Sequence, residues 1–203
     1  MNKKLAAALS GGSILLMALS GCSDDGGSKV NDWSKKVCDQ VQPQLAKIAN
    51  ANASIQQATS DSSTPADVKK TDAAAFQSIS DAYKALGAAV NGAGAPPVDD
   101  GETTQKEAVS ELNATSTAYA GLKTKVDDLD TKDQARFADG LKGVADELDK
   151  LSKTGDQALR KLQSGEVGAA MAKQPGCQRP KTSVPAGTGS DGASTESSAG
   201  QAS

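Results

Sequence analysis

Apolar residues recur at helical spacing along most of this chain, and no stretch alternates apolar and polar residues as a half-buried strand would. Four runs show the helical pattern. In the first run the apolar positions lie three, four or seven residues apart: Trp33, Val37, Val41, Leu45, Ile48 and Ile55. Pro43 lies inside this run. Because proline lacks an N–H and crowds the preceding turn, we expect the helix to kink or divide there.

The second run is marked most clearly at its start. Thr64 is suited to the N-cap, Pro65 to the first helical position and Asp67 to the first turn. The apolar positions that follow are Val68, Phe76, Ile79, Tyr83, Leu86 and Val90. A stretch with glycine and proline, residues 91–101, is expected to end this helix.

Two further runs come after that break. The third contains Val109, Leu112, Ser116, Tyr119, Leu122, Val126 and Leu129. The fourth contains Phe137, Leu141, Val144, Leu148, Leu151, Ala158 and Leu162. A tight turn at Asp130 and Thr131 separates the two, and Thr131 and Gln134 have the spacing of a capping box. A short last helix is predicted near residues 166–173.

These runs predict an all-α fold. Helices of about 25–30 residues, each roughly 40 Å long, joined by short or moderate loops favour an antiparallel up-down-up-down four-helix bundle. We place this bundle at residues 33–177.

Cys38 and Cys177 bracket the predicted bundle. With an even number of helices, the start of the first helix and the end of the fourth lie at the same end, so these two cysteines are close enough to bond. We therefore predict a Cys38–Cys177 disulfide in an oxidising compartment. The alternative is two independent free thiols.

The beginning of the chain has a different composition. Lys3 and Lys4 precede an apolar stretch, residues 5–19, that is too short and too interrupted by glycine for a stable transmembrane helix. Leu19-Ser20-Gly21-Cys22 comes next, followed at once by polar residues. This arrangement resembles the lipobox of bacterial lipoprotein precursors.

The resemblance implies that residues 1–21 are a signal peptide and that Cys22 becomes the acylated N-terminus, with chains such as palmitate. It places the protein at the outer face of the cytoplasmic membrane. The alternative is a cysteine that follows an ordinary secretion signal by coincidence. Residues 22–32 are expected to form a flexible, lipidated tether, and residues 178–203, rich in Ser, Gly, Ala and Thr, a disordered tail.

Charge narrows the range of partners. Of 22 basic residues, two lie in the signal peptide, which leaves 20 against 25 acidic residues and a formal charge of −5. This balance argues against a nucleic-acid partner, which usually needs a basic face. It also argues against electrostatic attraction to anionic lipids, so the membrane contact is expected to run through the lipid on Cys22.

Catalytic chemistry has little support in the composition. The chain contains no histidine, and the two cysteines other than Cys22 are expected to be paired. Nucleophiles activated by histidine are therefore excluded within this chain. We expect a protein that is not an enzyme and that holds no cofactor and no metal.

The densest acidic cluster consists of Asp127, Asp128, Asp130 and Asp133. Calcium prefers such oxygen ligands, but the spacing of an EF-hand loop is absent. The simpler interpretation is that two of these residues favour the start of the fourth helix while the others are solvated. Because this turn is expected at the end of the bundle far from the membrane, we take it as a candidate partner-facing tip.

Three aromatic residues each allow two interpretations. Trp33 is either an anchor in the lipid headgroups or a cap on the end of the bundle beside the cysteines. Tyr83 and Tyr119 are either core residues whose hydroxyls reach the surface or part of a ligand pocket.

Taken whole, the chain resembles small helical lipoproteins and secreted proteins of actinobacteria, and this resemblance specifies no activity. Our leading hypothesis is a non-enzymatic, membrane-anchored binding or structural module with a protein partner at the cell surface. The alternative is a carrier or sensor that holds a small apolar ligand between its helices. A carrier should show an internal cavity, and an interaction module an apolar surface patch.

Overall fold

The structure, a computed structural model, describes residues 25–58, 63–154 and 157–178. These residues form six α-helices and a 3-10 turn: α1 (Asp25–Ala58), α2 (Pro65–Ala93), α3 (Gly101–Asp127), α4 (Gln134–Thr154), α5 (Gln157–Leu162), α6 (Gly165–Ala172) and the turn Pro175–Cys177. No strand occurs in these three segments, and the predicted all-α class is confirmed. The predicted signal peptide, Cys22 and residues 179–203 of the predicted tail lie outside the described residues.

The helices are more numerous than the four that the periodicity indicates. The fourth run lies on α4 and α5, with residues 155 and 156 between them outside the described residues, and the short last helix forms as α6, at residues 165–172. The closed up-down-up-down arrangement of four helices stays a prediction.

The first helix begins earlier than expected. α1 starts at Asp25, so the predicted flexible tether, residues 22–32, is wrong from Asp25 onward. The reason is that Val30 extends the apolar stripe by one turn before Trp33 and is only 3% exposed. The Asn31 side-chain amide also donates to the carbonyl of Gly27 at 2.8 Å within this turn.

The helix α1 runs through Pro43 as one helix, so of the two expected effects the division does not occur. The kink stays a prediction. Proline at this position removes the hydrogen bond to the carbonyl of Asp39. Both residues lie on the exposed side of the helix, where water is available to that carbonyl.

The start of α2 matches its prediction. The Thr64 hydroxyl accepts from the backbone N–H of Asp67 at 3.2 Å, and the Asp67 carboxylate accepts from the backbone N–H of Thr64 at 3.4 Å. These are the two halves of a capping box. The hydrogen bond with the Thr64 side chain, followed by that with its backbone, lowers the pKa of Asp67.

The start of α4 differs from its prediction. The helix begins at Gln134, and the carboxylate of Asp133 accepts from the backbone N–H groups of Ala135 and Arg136, both at 3.1 Å. Asp133 is therefore the N-cap, and the predicted capping box of Thr131 with Gln134 is wrong.

Helices α2 and α3 run antiparallel and approach closely. The buried hydroxyl of Ser80 donates to the carbonyl of Ser116 at 2.8 Å, and the hydroxyl of Ser116 donates back to the carbonyl of Ser80 at 2.9 Å. About two turns further along α2, Gly87 lies directly against Leu112 and Asn113. The small residues let the helices meet, and the reciprocal bonds satisfy both buried hydroxyls.

The buried side chains form two clusters, one toward each end of α1. The first contains Trp33, Val37 and Cys38 from α1 together with residues of α2, α3, α5 and α6. The second contains Ala51 from α1, Phe76 and Ile79 from α2, and residues of α3 and α4. Ile48 and Tyr83 are only partly buried and pack against both clusters, so they lie where the clusters meet.

Candidate functional site

The cysteine pair fixes the end of the described chain to α1. Cys38, in α1, is bonded to Cys177, in the 3-10 turn, with the two Cα atoms 4.8 Å apart. Cys38 is fully buried, and Gly176 packs against its backbone carbonyl. A side chain at position 176 would collide with that carbonyl, so glycine is required for this approach. The predicted disulfide is present in the structure.

Trp33 lies in the same buried cluster as Cys38. It is 6% exposed, and its indole N–H donates to the carbonyl of Gly94 at 2.8 Å. Of its two interpretations, the structure supports the cap on the end of the helices, because an indole held in this way is not free to enter the lipid headgroups.

The last elements are attached to two different helices. α6 and the 3-10 turn pack on α1, whereas α5 packs on α3. On the exposed side of the contact between α5 and α3, the Lys161 ammonium pairs with the Glu107 carboxylate at 3.2 Å. The chain therefore bridges from α3 to α1, and a space remains beneath this bridge.

That space is an apolar cavity of about 480 Å³. α1 supplies one wall through four residues on successive turns: Val37, Val41, Leu45 and Ile48. The opposite walls come from α2, α3 and the bridge, with side chains that include Tyr83, Leu86, Val90, Leu112, Leu159 and Met171. Val41, Leu45, Ile48 and Leu159 are only partly buried, although they belong to stripes that turn inward. Their apolar surface is available inside the cavity.

Of the side chains that the structure describes, no lysine, arginine, aspartate or glutamate lines this cavity. The polar side chains in its lining are Gln163, which is exposed, and Tyr83, whose ring stacks on Tyr119 with 5.6 Å between the ring centroids. Tyr83 thus packs on the core and also lines the cavity, and a ligand pocket at this tyrosine stays a prediction. A site of this kind binds apolar surface and has no means of holding a buried charge.

A second depression, of about 580 Å³, lies between α1 and α2. Its lining mixes alanines with exposed polar residues such as Lys47, Asp67 and Lys70. These charges face solvent and have both signs, so this depression does not compete with the apolar cavity as a candidate site.

The acidic cluster is where the sequence places it, at the turn between α3 and α4. Asp127 pairs with Lys123 at 2.5 Å, Asp130 accepts from the backbone N–H of Lys132 at 2.9 Å, and Asp133 caps α4. Asp128 ends α3. Three of the four carboxylates are therefore engaged in local, helix-end interactions, and a partner at this tip stays a prediction. No three or more acidic, histidine or cysteine residues of the described segments gather as a metal site would require.

Asp72, on α2, is an ionisable side chain that is only 7% exposed. Its Oδ1 atom has no hydrogen-bond partner among the described residues. Burial disfavours the charged carboxylate and raises the pKa of Asp72. At neutral pH, this charge therefore costs folding free energy.

We expect Asp72→Asn to raise the free energy of unfolding at neutral pH by about 1 kcal/mol. Because the folded pKa lies above the ordinary value of 3.8, the gain is fully present above the folded pKa and disappears as the pH falls below 3.8. Urea denaturation across this pH range measures it. Asp139→Asn, at an exposed position on α4, is the control and should show no gain. An advantage of Asp72→Asn that grows toward acid pH would contradict this explanation.

Comparison with known proteins gives no family to which the chain can be assigned. No family model matches the sequence, no curated protein matches it, and no solved structure matches the fold. Within the described residues, no helix combines the length and the apolar character that crossing a membrane requires.

Proposed function

We propose that this protein is a lipid-anchored, non-enzymatic binding module at the outer face of the cytoplasmic membrane, and that its cavity holds a small apolar ligand. The observation that carries the proposal is the uncharged cavity of about 480 Å³ beneath the bridge from α3 to α1. Small-molecule sites in proteins commonly measure about 300–1,000 Å³ and are lined mainly by apolar side chains. Of the two functions that the sequence allows, the cavity favours the carrier or sensor.

The walls of the cavity support a preformed site. The disulfide fixes the 3-10 turn to α1, and Gly176 allows that turn to lie directly on the backbone of Cys38. Such a constraint holds the cavity open before a ligand binds, which lowers the entropic cost of binding. We also propose that α1, α2, α3 and the α4–α5 pair form the up-down-up-down bundle. The antiparallel contact of α2 with α3 supports this arrangement.

The position of α1 is compatible with a ligand that comes from the membrane. If Cys22 carries the lipid, the helix begins only three residues later, at Asp25. Twelve residues separate Asp25 from Val37, which places the nearest cavity wall about 18 Å along the helix from its start. An apolar molecule that leaves the bilayer then has a short distance to travel.

The non-enzymatic part of the proposal rests on the side chains themselves. The chain has no histidine, and both cysteines of the described residues are bonded to each other. A cavity whose described lining contains no carboxylate, amine or free thiol supports binding rather than turnover.

The proposal is tested by labelling with 3-trifluoromethyl-3-phenyldiazirine, a small photoreactive apolar probe, in membranes that carry the full chain. Label is expected on peptides that contain residues 41–48 and 159–172, and excess unreactive analogue should compete for it. Leu45→Trp fills the cavity and should lower this competed labelling by about tenfold. Gln42→Trp, on the exposed side of the same helix, is the matched control and should label like the wild type. Equal labelling of both variants would overturn the proposal.

A further inference from the structure

We infer that the ligand of the cavity is a straight aliphatic chain, bound with its polar group at the mouth beside Gln163. This inference rests on the proposed function and names the class of ligand for the same site. It follows from the dimensions of the cavity, from the types of side chain that line it and from the position of its polar residues.

The cavity extends along α1. Val37, at one end of this wall, is fully buried, so the part of the wall with exposed apolar surface runs from Val41 to Ile48. These two residues are seven positions apart, which corresponds to about 10 Å along the helix axis. An extended aliphatic chain can follow this wall over its whole length.

An extended peptide is excluded by its backbone. Every residue of such a peptide brings an N–H and a carbonyl that need partners when buried. The side chains along the cavity supply almost none, because most are valine, leucine or isoleucine. A chain of methylene groups has no such requirement and matches this lining.

The lining also favours an aliphatic ligand over an aromatic one. Aromatic ligands gain from stacking on aromatic side chains. Tyr83 is the aromatic residue of the lining, and its ring already stacks on Tyr119. The remaining apolar walls offer methyl and methylene contacts, which a flexible chain can follow along their whole length.

We place the mouth at the exposed residues of the described lining, Gln163 and Ala172. Gln163 lies between α5 and α6, and Ala172 is the last residue of α6. The Gln163 amide can donate a hydrogen bond to a carboxylate or an ester. A fatty acid and an acyl chain of a phospholipid both combine a straight chain with such a group, so the test must separate these two sources.

The test uses three photoreactive probes in membranes that carry the full chain: a fatty acid with a diazirine in its chain, a phospholipid with the same acyl chain, and a diazirine sterol. We expect the fatty acid or the phospholipid, but not the sterol, to label peptides with residues 41–48 and 159–172. Whichever of the first two labels more strongly identifies the source. Label on the peptide of Cys22 is counted separately, because it reports the anchor.

Competition by unlabelled fatty acids of increasing length adds a quantitative criterion. Each further methylene that is buried should strengthen competition by about fourfold, until the chain spans the cavity. Ala172→Trp should block the mouth without disturbing the buried residues and lower the labelling by about tenfold. Lys173→Trp, at the neighbouring exposed position outside the lining, is its control.

The outcomes separate the two proposals. Equal labelling by the sterol and the straight chains, or labelling by the small phenyl probe alone, overturns the aliphatic ligand and leaves the apolar site intact. Absence of competed labelling by every probe overturns both. Unchanged labelling of Ala172→Trp by the straight-chain probes contradicts the assigned mouth.

Discussion

Removal of the disulfide, by Cys38→Ala together with Cys177→Ala, should lower the free energy of unfolding by up to about 5 kcal/mol. The bond joins residues 139 positions apart, so it restricts most of the folded chain in its unfolded state. Loop-closure entropy for a separation of this size gives about 5 kcal/mol as an upper value, and native disulfides commonly contribute about 2–5 kcal/mol. For a single domain, such a loss is a large part of the total stability.

Alanine is the appropriate replacement at position 38. This side chain is fully buried, and a serine hydroxyl there would add a second cost that is unrelated to the bond. Urea denaturation followed by circular dichroism measures the difference between the oxidised wild type and the double variant. Dithiothreitol should shift the wild type to the same degree and leave the double variant unchanged. If the oxidised wild type and the double variant had equal denaturation midpoints, the bond would not stabilise the fold.

The same variant tests the link between the bond and the cavity. α6 and the 3-10 turn contact α1, and without the bond they are held there by noncovalent contacts such as the packing of Val167 and Met171. Hydrogen exchange in α6 is therefore expected to accelerate more than exchange in α2 or α3. In the same variant, the labelling of the cavity that an unreactive analogue can compete for should decrease.

The start of a helix could be predicted from the sequence where the residues of its first turn leave one choice of N-cap. Thr64, Pro65 and Asp67 together predict the start of α2, because each suits only its own position in the first turn. At α4 two suitable caps, Thr131 and Asp133, lie two residues apart, and spacing alone does not choose between them. The start of α1 was missed because a single apolar residue, Val30, marks the added turn.

The cavity was not predictable in the same way. Periodicity shows that Val41, Leu45 and Ile48 turn inward, and it therefore predicts that they belong to the buried stripe of the helix. It does not show how far the facing helix lies from that stripe. Here the distance is set by the attachment of α5 to α3 and of α6 to α1, contacts between residues far apart in the sequence. The disulfide was predictable because it requires two cysteines, and Cys38 and Cys177 are visible in the sequence. A cavity requires no particular residue type.

Replacement of the proposed lipid-bearing residue, Cys22→Ala, should remove the protein from the membrane or leave it as an unprocessed precursor of larger size. The expected effect is close to complete because the lipid on Cys22 is the membrane contact that we propose. Without residues 1–21 the chain carries a formal charge of −5, which gives no attraction to anionic lipids, and the indole of Trp33 is buried against Gly94. Acyl chains then supply the binding, and two chains suffice for stable attachment where one is marginal.

Fractionation of cells into membrane and soluble parts, with immunoblotting for size, measures this effect. Cys38→Ala is the matched control, because it also removes one cysteine but leaves the lipobox intact, and it should remain in the membrane fraction at the mature size. Mass spectrometry of the N-terminal peptide from the wild type should show an acylated Cys22. If Cys22→Ala were processed to the mature size and remained in the membrane fraction at the wild-type level, the lipoprotein proposal would be wrong, and with it the short path from the bilayer to the cavity.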